Sequence, residues 1–281
     1  IYEILHFKLT FGGSDLNQKY KDIYQKSINS KEEFWKNISD DIFWYKKPTK
    51  ILNSDNPPFY KWFEEGITNT CYNALDIHID NGRGNKLAII YDSPISGVQK
   101  KITYNELRDE VALFAGALKK QGVSKGDRVI IYMPMIPQAI TTMLACGRIG
   151  AVHSVVFGGF AANELASRID DSKAKLIVTA SCGYEPGRTV HYKPLVNKAL
   201  ELANHKPDKC IVFQREKDKA ELNPSTDITW EESLKGVEPA ECEQMNANDY
   251  AYILYTSGTT GLPKGIVRDI GGHIVALKWT M

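Results

Sequence analysis

The stretch RVIIYMPMIPQAITTMLACGRIGAVHSVV, residues 128–156, holds a complete strand–helix–strand unit. Arg128–Tyr132 and Val152–Val156 are short apolar runs rich in β-branched residues, which are typical of buried strands. Ile136–Arg148 has the length of a helix, and Pro137 is tolerated because the first turn of a helix needs no N–H partner. Strands joined by such a helix pair in parallel, so the unit predicts an α/β fold.

The same alternation continues on both sides of this unit. Thr103 begins a helix with a capping box that Glu106 completes, and Gly122 suits the left-handed residue after a helix end. Residues 214–248 are polar and weakly patterned, so we expect a long surface excursion there. The other expected strands are Leu87–Tyr91, Lys175–Ala180, Lys209–Phe213 and Tyr250–Tyr255, and the other expected helices are Asn163–Asp170, His191–Asn204 and Gly271–Met281. Together they predict a parallel sheet with helices on both faces.

Aromatic residues and lysines crowd the chain before residue 87. Phe34 and Trp35 lie close to Phe43, Trp44 and Tyr45, and a second group follows near residue 60. This composition predicts a mostly helical extension that packs on another domain through aromatic anchors.

The overall composition is that of a globular protein with a sizeable core. Hydrophobic residues make up 43% and charged residues 25%, and the net charge is +1, which argues against nucleic acid as a partner. The five cysteines are widely spaced without a CxxC pair, so we expect reduced thiols and no metal site. Apolar runs are too short for a membrane span, and the start of the chain lacks the pattern of a secretory signal.

The segment with the strongest chemical signal is YTSGTTGLPKG, residues 255–265, directly after an expected strand. Glycines let backbone N–H groups approach an anion, hydroxyls add donors, and Lys264 adds a positive charge, so the segment suits a polyphosphate. A Walker A loop is excluded because Pro263 and Gly265 stand where that pattern needs Gly and Ser or Thr. The alternative from composition alone is a plain glycine-rich turn.

Two further turns are candidate ligand sites. GYEPGR, residues 183–188, follows a strand, and Arg188 is expected to lead into a helix. Without other information Arg188 is simply a solvated surface arginine. The turn FGGF, residues 157–160, is a candidate lining of a ligand channel. The more ordinary alternative, which we favour, is that its glycines allow close backbone packing at a strand–helix junction.

YTSGTTGLPKG resembles the signature loop of adenylate-forming enzymes, which include acyl-CoA synthetases, luciferases and peptide-synthetase adenylation domains. Four further blocks resemble acetyl- and propionyl-CoA synthetases, with the propionate-preferring, mitochondrial branch most similar. These blocks are residues 57–63, 69–76, 126–134 and 153–160. The resemblance covers about residues 20–281, which implies an unassigned segment 1–19, an acetyl-CoA-synthetase-type extension 20–86 and the first part of an AMP-binding domain 87–281. It disfavours a luciferase or a peptide synthetase.

The resemblance implies an acid–thiol ligase that uses ATP, with Mg²⁺, and CoA to activate a short-chain carboxylic acid, propionate before acetate. The implied phosphate-binding residues are Thr256, Ser257, Gly258, Thr259, Thr260, Gly261 and Lys264, and the implied CoA-binding residues are Glu185, Pro186, Gly187 and Arg188. Acetate-specific members carry an arginine at the position of Glu185. A carboxylate repels phosphate, so we expect Glu185 to contact another part of CoA or to position Arg188.

The resemblance also implies that the chain is incomplete. Residues for the acyl pocket, adenine and magnesium, and a mobile C-terminal domain with the catalytic lysine, come later in the family. The 281-residue chain is therefore expected to be inactive alone, and the sheet to have an unpaired edge. The alternative function is a non-catalytic fragment that binds nucleotide or CoA. The expected location is the mitochondrial matrix, with the cytosol as second choice.

Overall fold

A seven-stranded sheet lies at the centre of the computed structural model, which describes residues 14–256 and 263–281. Neighbouring strands pair in parallel except the last two, which are antiparallel. In spatial order the strands are β12 (Asp227–Thr229), β11 (Lys209–Phe213), β8 (Leu176–Ala180), β6 (Arg128–Tyr132), β7 (Val152–Val155), β14 (Tyr250–Thr256) and β15 (Lys264–Asp269).

Helices cover both faces of this sheet, as predicted. On the central strand β6, Val129 and Ile131 pack in the cluster shared with one helix pair, whereas Ile130 and Tyr132 pack in the cluster shared with the other. All four side chains are fully buried, and each buried aliphatic chain contributes about 1.5–3 kcal/mol. The first pair is α3 (Tyr104–Lys120) and α4 (Pro137–Arg148), and the second is α5 (Ala162–Ser172) and α6 (Tyr192–Leu202).

The predicted helix signals are confirmed. Glu106 N–H donates to the Thr103 hydroxyl, and Thr103 N–H donates to the Glu106 carboxylate at 2.8 Å, which forms the capping box of α3. Gly122 follows the end of α3 with φ of +84°, a conformation that costs glycine little. Pro137 is the first residue of α4.

Two segments differ in part from the predicted arrangement. Leu87–Tyr91 does form a strand, β4 (Leu87–Ser93), but it pairs antiparallel with β5 (Val98–Thr103) in a separate hairpin. Residues 214–248 are not only a surface excursion, because they contain β12, a short helix α7 (Trp230–Ser233) and β13 (Met245–Asn246). Trp230 stacks on a buried phenylalanine of α3, with ring centroids 3.7 Å apart, so this segment completes the core.

The aromatic-rich extension packs on the main domain, as predicted. Phe34 meets Trp279 edge-to-face with centroids 5.3 Å apart, and Phe63 is buried in the same cluster as Ile270. The extension also contains short strands that were not predicted. Its elements are α1 (Ser14–Asn29), α2 (Lys31–Ser39), β1 (Lys50–Asn53), β2 (Lys61–Glu64), β3 (Ile67–Thr68) and two π-helical turns, Tyr72–Asp76 and Ile79–Arg83.

A buried ion pair joins the extension to α4. Arg148 is 2% exposed, and its Nη1 donates to both Asp76 carboxylate oxygens at 3.1 and 2.8 Å while its Nε donates to the Ala240 carbonyl. Cys71 and Cys242 place their sulfurs beside the same carboxylate. The guanidinium already neutralises Asp76, so this group serves as a joint between segments distant in sequence.

The last helix, α8 (Ile270–Thr280), follows β15 and confirms the predicted C-terminal helix. Asp269 accepts a hydrogen bond from Gly272 N–H at its start. Among the residues that the structure describes, no helix is long and apolar enough to cross a membrane.

Candidate functional site

The candidate site lies at one edge of the sheet. The parallel strands β6, β7, β8 and β14 all end there, because the carboxyl ends of parallel strands point the same way. The segments that follow β7, β8 and β14 are the three turns singled out in the sequence. In open α/β sheets, ligands bind at this edge where strand order reverses. Here β7 lies on one side of β6 and β8 on the other, so the three turns surround such a reversal.

The glycine-rich segment connects β14 to β15. Thr256 and Lys264 face each other in the antiparallel register, and both are exposed. They therefore form the base of the loop. The other predicted phosphate-binding residues, Ser257, Gly258, Thr259, Thr260 and Gly261, lie outside the described residues.

The predicted CoA turn is the tip of a β-hairpin formed by β9 (Cys182–Glu185) and β10 (Arg188–His191). Arg188 begins strand β10 and does not lead directly into a helix, because the other three residues of β10 intervene before α6. Pro186 and Gly187 occupy the tip, and Gly187 has φ of +76°, which favours glycine. All four predicted residues are exposed together on one projecting element.

Glu185 and Arg188 face each other across the hairpin. The carboxylate Oε2 accepts from Arg188 Nε at 2.7 Å and lies 2.6 Å from Nη2, a fork geometry that fixes the guanidinium. The Arg188 side chain is 71% exposed, so its outer edge is open to a ligand. This contact favours a positioning role for Glu185 over direct contact with a phosphate.

Tyr132 and Tyr192 hold two of the turns in place, and neither was predicted from the sequence. The Tyr132 hydroxyl donates to the Phe160 carbonyl at 2.7 Å, and the two tyrosine rings lie 5.0 Å apart. A methyl group added to Gly158 would lie 2.0 Å from the Tyr192 hydroxyl oxygen, and one added to Gly183 2.7 Å from its ring. Tyr192 thus fills the space between the 157–160 turn and the hairpin. Burial raises the pKa of Tyr132 to about 12, so both hydroxyls stay protonated donors near neutrality.

A cationic groove runs beside the hairpin. Arg188 and Lys217 line this groove of about 390 Å³ together with Tyr184. Arg215 packs on the Tyr184 ring at 4.1 Å, and Lys217 Nζ lies 5.8 Å from the same ring. Among the described residues, neither Arg215 nor Lys217 has a carboxylate within 4 Å, although Asp218 lines the groove and contacts His191. These two cations were missed in the sequence because residues 214–217 carry no motif.

His153 and His273 lie near the start of β14 and are built into the packing. His153 on β7 stacks near Tyr252, and its Nδ1 is buried without a hydrogen-bond partner among the described residues. Burial, with a smaller contribution from His273, lowers the pKa of His153 to about 4. The ring is therefore uncharged near pH 7 and serves as part of the packing.

Comparison with protein families identifies the chain. Residues 78–280 match the AMP-binding enzyme model, and residues 20–74 match the N-terminus of acetyl-coenzyme A synthetase. The chain belongs to the AMP-binding enzyme family. The resemblance seen in the sequence is thus confirmed, and with it the adenylate-forming type of fold.

Individual relatives place the chain near short-chain acyl-CoA synthetases. It is 52% identical over 264 residues to the mouse mitochondrial acyl-CoA synthetase short-chain family member 3, covering 94% of this chain and 39% of the relative. It is 42% identical over 270 residues to the acetyl-coenzyme A synthetase of Brucella anthropi, covering 94% and 41%. The chain thus spans about two fifths of the length of the relatives it matches.

A solved structure supports the fold. Acetoacetyl-CoA synthetase from Streptomyces lividans superposes with a TM-score of 0.83 at 26% identity, over 92% of this chain and 39% of that one.

Proposed function

We propose that the chain acts in the ATP-dependent activation of a short-chain carboxylic acid, with propionate preferred to acetate. A carboxylate is a poor electrophile, so its oxygen first attacks the α-phosphorus of ATP, which gives an acyl-adenylate and pyrophosphate. The thiol of CoA then attacks the acyl carbonyl, and AMP leaves. Because the relatives are longer, this activity is proposed for the chain joined to the rest of the fold.

The glycine-rich loop is proposed to hold the departing β- and γ-phosphates. The observation that carries this assignment is the placement of Thr256 opposite Lys264, at the base of a loop of glycines and hydroxyls on the carboxyl edge of the sheet. Mg²⁺ enters with ATP as part of the substrate. The division into an extension, 20–86, and an AMP-binding part, 87–281, remains a proposal; the two family matches, 20–74 and 78–280, support two such segments but meet about ten residues earlier.

The hairpin is proposed to meet the nucleotide end of CoA through Glu185, Pro186, Gly187 and Arg188. Arg188 has an open edge for a phosphate, and Lys217 adds a second cation to the same groove. Tyr192 fixes the distance between this hairpin and the 157–160 turn. The names of several relatives include "mitochondrial", which supports the mitochondrial matrix as the site of action, with the cytosol as second choice.

The test uses a chimera of residues 1–281 followed by the segment of the mouse relative that comes after its matched region. Acyl-CoA formation is measured with acetate, propionate and butyrate. Propionate is expected to give the highest kcat/KM. A folded chimera that binds nucleotide or CoA yet makes no acyl-CoA from any acid would contradict the proposal and favour the non-catalytic alternative.

Lys264→Ala in the same chimera tests the loop. Loss of one charge-assisted contact costs about 1.5–3 kcal/mol, so adenylation should slow about ten- to a hundredfold. Lys278→Ala removes the same charge from the last turn of α8, outside the loop, and should leave the rate unchanged. Equal rates for the Lys264→Ala variant and the parent chimera would refute the assignment.

A further inference from the structure

Arg168 on α5 is a buried cation whose surroundings point to a positioning role. It is 5% exposed, and its Nη1 donates to the Glu164 carboxylate at 2.8 Å and to the Glu164 carbonyl at 2.6 Å. Its guanidinium carbon lies 4.6 Å from the Phe160 ring centroid and 5.3 Å from the Tyr255 ring centroid. The ion pair with Glu164 could form equally well with the arginine at the surface, where its charge would stay hydrated. The ion pair therefore does not explain why Arg168 is buried between two aromatic rings.

The two rings belong to different turns of the candidate site. Phe160 closes the turn after β7, and Tyr255 is the last residue but one of β14, directly before the glycine-rich loop. A guanidinium attracts the faces of aromatic rings, and the attraction is stronger where water is excluded. Arg168 therefore holds both turns to the same point of α5.

Asp171, one turn further along α5, makes a second contact with Tyr255. Its Oδ2 accepts a hydrogen bond from the Tyr255 hydroxyl at 2.7 Å. Gly265 is the partner of Tyr255 in the register of β15, and a methyl group there would lie 3.2 Å from the Tyr255 ring and 3.4 Å from Asp171 Oδ2. Both strands at the base of the loop thus pass close to this pair.

We propose that Arg168 and Asp171 position the glycine-rich loop through Tyr255, and that Arg168 also ties the loop to the 157–160 turn beside the CoA hairpin. If the loop binds polyphosphate, as proposed above, then α5 sets the geometry of that site. Tyr192 continues the contact from the 157–160 turn to the hairpin. Arg168 consequently acts on both ligands, whereas Asp171 acts on the phosphate ligand only.

The experiment measures binding of Mg²⁺-pyrophosphate and, separately, of CoA to the chimera described above by isothermal titration calorimetry. Asp171→Asn keeps a hydrogen-bond acceptor but removes its charge, which weakens such bonds by about half. Pyrophosphate is expected to bind about three- to fivefold more weakly, with CoA affinity unchanged. Tyr255→Phe keeps the ring over Arg168 and should show the same pattern.

Asp170→Asn is the matched control. Asp170 is the same residue type on the same helix, but it accepts hydrogen bonds from Asn204 and His205, whereas the Tyr255 hydroxyl donates to Asp171. Its substitution should leave both affinities unchanged. Arg168→Met is expected to lower the affinity for both ligands about tenfold. Arg168→Lys, which keeps the charge, should recover part of that affinity.

The pattern of losses separates positioning from general loss of structure. If Asp171→Asn and Asp170→Asn behave alike, or if every variant weakens CoA and pyrophosphate equally, the positioning role is refuted. If the unsubstituted chimera binds no pyrophosphate, the phosphate role of the loop fails instead. Thermal unfolding of each variant shows whether it is folded, and the exposed Asp171 gives a substitution that need not disturb the core.

Discussion

Removal of the Arg188 side chain is expected to weaken CoA binding strongly. Arg188 projects from the hairpin, with its inner edge bound to Glu185 at 2.6 and 2.7 Å and its outer edge free. A phosphate on that outer edge would accept charge-assisted hydrogen bonds, each contributing about 1.5–3 kcal/mol. Since each 1.4 kcal/mol is a factor of ten, Arg188→Ala should raise the Kd for CoA about ten- to a hundredfold.

Glu185→Ala tests the positioning role of the carboxylate. The pair is exposed to solvent, with the Glu185 side chain 45% exposed, and exposed pairs contribute about 0.2–1 kcal/mol. If Glu185 orients Arg188, its loss should raise the Kd for CoA by no more than about fivefold. If it only repelled the ligand phosphate, the same substitution would lower the Kd.

The assay is titration of CoA into the 281-residue chain at low salt, since screening weakens these contacts. Glu201→Ala is the matched control, because Glu201 forms an exposed pair with Lys198 at the same i,i+3 spacing on α6. It should not change CoA affinity. An Arg188→Ala variant that binds CoA as tightly as the unmodified chain would refute the placement of CoA on the hairpin.

Three further predictions concern the packing that supports the site. Burial lowers the pKa of His153 from about 6.5 to about 4, so stability present above pH 6.5 is lost as the pH falls toward 4. Urea unfolding should show a decrease of about 2–3 kcal/mol from this group between pH 7 and 4.5, and the total decrease should be smaller in His153→Gln, in which His78 and His273, whose pKa values burial also lowers, remain. Asp76→Ala removes the carboxylate that pairs with the buried Arg148 and should lower the free energy of unfolding by about 3–5 kcal/mol. A decrease of less than about 1 kcal/mol would contradict the role of this ion pair in joining the extension to α4. Gly158→Ala should cost about 1–3 kcal/mol because its methyl group meets Tyr192, whereas Gly147→Ala, which has room, should cost nothing.

Much of the fold could be predicted because local signals and periodicity agree there. The β6–α4–β7 unit, the capping box at Thr103 and the glycine after α3 each depend on a few adjacent residues. Such patterns are set by backbone geometry and by burial on both sheet faces, which leave a clear trace in the sequence.

Other parts could not be predicted because distant residues determine them. The strand Val98–Thr103 contains two adjacent lysines and lacks an apolar alternation, so it gave no strand signal, and its pairing moved Leu87–Ser93 out of the main sheet. β12 has only three residues and is stabilised by β11 and by the stacking of Trp230 on the core. The strand after the glycine-rich loop, Lys264–Asp269, is exposed along most of its length and depends on pairing with β14.

The candidate site follows the same division. Lys264 and Arg188 could be proposed as ligand-binding residues from the sequence because their chemistry lies within short segments. Tyr192 and Arg168, which connect the turns, carry no motif. Their roles come from contacts between α5, α6 and loops that are far apart in the chain, and such contacts become visible only in the folded structure.

The most direct test of the central claim is carboxylate-dependent exchange of labelled pyrophosphate into ATP by the chimera. Exchange reports formation of the acyl-adenylate and requires no CoA, so it isolates the step assigned to the glycine-rich loop. The proposed function predicts exchange that requires a carboxylic acid, is fastest with propionate and falls about ten- to a hundredfold in Lys264→Ala. Exchange that proceeds without any carboxylic acid, or no exchange by a folded chimera, would contradict it.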